Sequence, residues 1–182
     1  MLWNASQFFE NLTRHNILAS SLGFRFCEVS GIDGLEAALQ NPSAPNMVCV
    51  SDVSDGFMEL GTSPHSRAIK TVFMAMRHPI DDVKGRNECM ATMREIFRQF
   101  MSVLIREKVK LEEARIYLDS RIAFNEIDRY FFTGAACCFF NIAVDVMTDL
   151  RLDKSEWAVD IDAFSASFSP SFHCKSPAVR DI

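Results

Sequence analysis

The side chains best suited to nucleophilic or metal chemistry are six cysteines (Cys27, Cys49, Cys89, Cys137, Cys138 and Cys174) and four histidines (His15, His65, His78 and His173). A zinc site usually takes Cys and His in close pairs, so that one turn or one helix face presents two ligands together. No C-x-x-C occurs, and no helical pattern sets a His beside a Cys, Asp or Glu on one face. The adjacent His173 and Cys174 stand alone in a Ser-rich stretch, and no metal or other cofactor is expected. A thiol nucleophile needs a base within reach, and Cys49 or Cys137 with His78 is the arrangement available. Nothing in the spacing joins these groups. Most of the cysteines lie inside apolar patterns, where Cys packs as a small hydrophobe, so reduced structural thiols are expected.

Backbone devices for other chemistries are equally sparse. There is no G-x-S-x-G elbow, no P-loop and no G-x-G-x-x-G after a strand. Gly31 and Gly34 flank a helix start, but Asp33 between them would repel a phosphate. Asp52, Asp55 and Glu59 gather carboxylates in a loop that lacks the fixed ligand positions of a calcium loop, and read as solvated charge. Asp81 and Asp82 read as charges at a helix N-terminus. No catalytic, cofactor-binding or metal residue is assigned, and the chain is not expected to be an enzyme.

The elements that would carry any site follow from hydrophobic period. Phe8, Phe9, Leu12 and Ile17 predict a helix over 6–18 with Ser6 as N-cap. Phe24 and Phe26 to Val29 predict a strand, Ile32, Leu35 and Leu39 a short helix over 31–39, and the run Met47 to Val50 a buried strand. Residues 51–66 read as an exposed hairpin or loop with Phe57, Met58 and Leu60 as its apolar members, and 69–76 as a central strand apolar on both faces. From Ile80 to about Lys110, Met90, Met93, Phe97, Phe100 or Met101 and Leu104 recur at three and four, predicting a helix that crosses a whole sheet or projects beyond it. The methionine stripe, with Met74 and Met76, is expected in the core. Strand patterns resume over 114–127 and 131–152, joined by a turn over 128–134. The order predicts an α+β fold: one mainly antiparallel sheet with a long helix across it and shorter helices near the N-terminus. Residues 1–157 read as one domain and 158–182 as an extended arm bearing Phe164, Phe168 and Phe172.

The formal net charge of −5 argues against a general phosphate-binding surface, so no direct nucleic-acid partner is expected. No run of about eighteen apolar residues suits a membrane span, and the opening residues lack the charged n-region of a signal peptide. A cytoplasmic protein is expected. Phe131, Phe132, Phe139 and Phe140 include neighbours that must point to opposite sides of a strand. Two outcomes are open: an apolar face that meets another chain, or a sheet covered on both faces by its own helices.

In this organisation the chain resembles the small tail-terminator and tail-completion (neck) proteins of long-tailed bacteriophages and related contractile injection systems. The likeness covers Ser6 to Trp157 and rests on F-F-E-N-L in the opening helix, the strands F-R-F-C-E-V and M-V-C-V-S-D-V before a loop, I-K-T-V-F-M-A-M, the long helix, and the closing F-F-N-I-A-V-D-V. The resemblance implies a virion protein, assembled in the host cytoplasm, that forms a ring, commonly a hexamer, of its own copies. Such a ring caps the tail tube protein and offers a surface to head-tail connector or neck proteins. It implies interface residues, for which Phe57, Met58, Leu60, Phe131, Phe132, Phe164, Phe168 and Phe172 are the candidates. The segment after Trp157 departs from the plain ending expected of that family. The alternative is a small ligand-binding or adaptor module with no virion role.

Overall fold

Two strands of thirteen residues organise the sheet. In the computed structural model, which describes residues 3–41, 43–53, 55–127 and 133–158, β4 (His65–Arg77) and β7 (Ala135–Met147) pair antiparallel along their full lengths, from His65↔Met147 to Arg77↔Ala135. Both are rich in β-branched and aromatic residues, which fit a pleated surface. Shorter strands lie end to end along each outer side. β2 (Met47–Ser51) and β3 (Asp55–Glu59) pair with β4, while β5 (Ile116–Leu118) and β6 (Asn125–Ile127) pair with β7. β1 (Arg25–Val29) adds to β2 in parallel, completing a mixed, mostly antiparallel sheet of seven strands.

The alternation along these strands divides the core. Val48, Val50, Val72, Met74, Cys138, Phe140 and Ile142 face one side, where they meet α1 (Ala5–His15), α2 (Ile17–Ser21) and α4 (Val83–Glu113). Met47, Cys49, Phe73, Ala75 and Cys137 face the other, against Leu35 and Leu39 of α3 (Gly31–Leu39). Helices therefore cover both faces over this stretch. Phe140 is fully buried and Phe139 half-buried on the opposite side, as the alternation requires. Phe131 and Phe132 lie outside the described residues, as do residues 128–132 of the expected turn and the arm beyond Ala158 with Phe164, Phe168 and Phe172.

The long helix is as anticipated. Asp82 caps α4 by accepting from the Gly85 N–H at 2.9 Å, and its 31 residues extend about 46 Å at the usual rise. Met90, Met93, Ile96, Phe100 and Leu104 form its buried stripe, with Met74 fully buried opposite and Met76 and Met101 partly so. The methionines thus fill core.

Three expectations change. Asn4, rather than Ser6, caps α1, its Oδ1 accepting from the Gln7 N–H at 3.0 Å. The opening helix is also divided at Asn16, whose backbone is extended and whose Oδ1 accepts from the Ala19 N–H at 2.8 Å to start α2. The Asn16 side chain donates to Gln99 of α4 at 2.7 Å, which fixes the break against the long helix. The strand pattern over 114–127 resolves into β5 and β6, with Ile122 and Phe124 packing toward the core from the connection between them.

The described residues up to Asp149 belong to one compact unit, and residues 150–158 to a second. Within the second, Asp153 caps a short 3-10 turn over Lys154–Glu156, accepting from Ser155 N–H and Oγ at 2.9 and 2.6 Å.

Phe140 lies 5.6 Å from Phe9 and 5.0 Å from Phe97, ring centre to ring centre. Truncating it opens a cavity in the helix-covered core, at a cost of about 3–5 kcal/mol. Chemical denaturation of Phe140→Ala should show that loss, and Phe139→Ala a clearly smaller one.

Candidate functional site

In the β3–β4 hairpin the β4 half, His65–Ile69, also pairs with β7, which leaves β3 as the outer strand. All five residues of β3 are exposed, and its register against β4 is Asp55↔Ile69, Phe57↔Arg67 and Glu59↔His65. Among the described residues β3 pairs with β4 alone, so its outer edge carries no strand. An open edge of this kind is a template for another chain. Gly56 allows the strand to approach closely, because a Cβ there would sit 2.1 Å from the Arg67 carbonyl oxygen.

The apolar residues expected in this segment are on the surface: Phe57 is 51% exposed, Met58 49% and Leu60 77%. They do not form one patch. Phe57 and Arg67 are cross-strand partners on the face that α3 covers elsewhere, whereas Met58, the next residue, points to the opposite face. Leu60 follows the end of β3.

Phe57 is positioned by charge. The Arg67 guanidinium carbon lies 5.9 Å from its ring centre and the His65 ring packs against its edge at 6.3 Å. Arg67 is itself held, donating from Nη2 to Asp119 at 2.7 Å, with Nε 3.5 Å from Asp145 Oδ1 in an ionic contact. A cation over an aromatic face contributes about 0.5–1 kcal/mol at an exposed site. It also orders a ring that would otherwise sample several rotamers. On the same face Thr71 donates to Asn141 at 2.9 Å, beside the apolar pair Ile69 and Ala143.

The groups with catalytic potential are dispersed. Cys49 and Cys137 sit in the core beside α3, and His78 is buried with Nδ1 2.7 Å from the Pro79 carbonyl oxygen. The Cys27 thiol beside Cys49, followed by burial, pushes the Cys49 thiol up, and burial pushes Cys138 up as well, so both resist becoming thiolates. Asp52 accepts from the Ser30 hydroxyl at 3.2 Å, while Asp55 and Glu59 stand at opposite ends of β3. Among the described residues no three His, Cys, Asp or Glu side chains gather as a metal site, and no helix is long and apolar enough to cross a membrane. An open cavity of about 350 Å³ lies between α4 and the β5–β6 connection, lined by Phe97, Met101, Leu104 and Ile105 with Leu118 and Ile122 opposite.

The Arg67 cluster was not legible in the sequence, because its carboxylates come from β5's end and from β7, 52 and 78 positions away. The interface candidates Phe131, Phe132, Phe164, Phe168 and Phe172 lie outside the described residues. No protein-family model matches the chain, and no curated protein does.

Gly56→Ala should force β3 away from β4 and destabilise the protein by about 1–3 kcal/mol. Amide exchange should then rise across β3 and the first residues of β4 while the centre of β4 stays protected.

Proposed function

We propose that the chain is a structural virion protein, a ring-forming tail terminator or neck component that caps the tail tube and joins it to the head connector. The observation that carries this reading is β3, which pairs with β4 alone among the described residues, is exposed at all five positions and bears Phe57 and Met58, with Leu60 exposed just beyond it. A head-to-tail ring needs two different surfaces on each copy, and an open edge strand that adds to a neighbour supplies one of them. The resemblance in element order supplies the virion context. The partners on this reading are other copies of the chain, the tail tube protein and the connector or neck proteins.

A second reading, a small ligand-binding or adaptor module, is favoured by the apolar cavity beside α4. The two separate on mass. Light scattering over a range of concentrations, followed by negative-stain imaging, should find a closed ring. Leu60→Glu and Met58→Glu should weaken assembly while changing monomer stability by no more than about 0.5 kcal/mol, as surface substitutions do. A chain that stays monomeric at every concentration, and melts higher with small apolar ligands, contradicts the ring reading and supports the module.

A further inference from the structure

Cys27 and Cys49 are direct partners across the parallel β1–β2 pair. Strands are about 4.8 Å apart in a sheet, and a disulfide spans Cα separations of about 4.4–6.8 Å, so the backbone spacing already suits a bond. Side chains at paired positions point to the same face, here the one covered by α3. The two sulfurs are 2.9 Å apart, within about 1 Å of a disulfide's length. The two thiols differ in access. Cys49 is fully buried, while Cys27 is half-buried on β1, the strand at the border of the sheet.

We propose that Cys27 and Cys49 are an oxidation site that closes to an internal disulfide by exchange with a low-molecular-weight disulfide of the glutathione class. The Cys27 thiolate attacks one sulfur of the oxidant, the oxidant's S–S bond breaks, and one thiolate leaves. Capping Cys27 removes the partner that holds the Cys49 thiol up; Cys49 then passes its proton to the released thiolate and attacks the Cys27 sulfur, and the second thiolate leaves. Two protein thiols lose two electrons in all, and the small disulfide is reduced to two thiols. The hydrogen bond from Cys49 lowers the Cys27 pKa against the opposing effect of burial, which favours Cys27 as the attacking group. The bond would tie β1 to β2 and enclose α3 in a covalent loop, fastening a border strand without disturbing the faces already packed.

The test is exposure of the full chain to oxidised glutathione, acid quenching and peptide mapping. Cys27 and Cys49 fall in one tryptic peptide, Phe26–Arg67, so further cleavage at Glu28 or Glu36 separates them. The expected product is a Cys27–Cys49 link formed before Cys89, Cys137 or Cys138 react, with a melting temperature raised on the order of 5 °C and restored by reductant. In Cys49→Ser, Cys27 should remain as the glutathione adduct; in Cys27→Ser, Cys49 should stay reduced. An adduct on Cys27 that persists in the unaltered chain, or a Cys27 no more reactive than Cys89, overturns the proposal.

Discussion

The fold depends on the antiparallel register of β4 with β7. Thirteen consecutive residue pairs fix which side chains face α1 and α4 and which face α3. A shift by one residue would exchange the two sets, moving Phe140 and Cys138 out of the larger core and replacing them with Phe139 and Cys137. With both faces apolar over the centre of the sheet, such a slip is opposed on two sides at once. The long helix follows from the long strands. About 46 Å of α4 lies against a ribbon of roughly 40 Å, and its stripe of Met90, Met93, Ile96, Phe100 and Leu104 finds sheet beneath it for most of that length.

The same geometry leaves the hairpin uncovered. β2 ends where β3 begins, so the two share one side of β4 rather than forming separate layers. α3 packs beside β1 and β2 and stops short of β3. What remains is a strand exposed at all five positions and, among the described residues, paired on one edge alone, steadied by Gly56 at close approach and by Arg67 between Phe57 and two carboxylates. On the reading proposed above it is the part that meets a neighbour.

Much of this was legible in local pattern. The continuous apolar run at β2 and the apolar alternation on both faces of β4 announced buried central strands, and the three-and-four spacing of methionine and phenylalanine announced α4. Asn16 was harder to read, since a single capping side chain outweighed a helical pattern that continued past it. The division of 114–127 into two strands was hidden for a related reason: Ile122 and Phe124 keep an apolar alternation while serving as core plugs from a connection. Distant pairings were out of reach. Neither the Arg67 cluster nor the Cys27–Cys49 pair has a local signature, because each is assembled by strand register.

Hydrogen exchange followed at low and high protein concentration tests the account most directly. Amides over 72–75 and 136–142 should exchange slowest at both concentrations, whereas β3 should exchange fast in the dilute monomer and become protected as mass rises. Strong protection of β3 in the monomer, or no change there while the protein assembles, would contradict the role given to its edge.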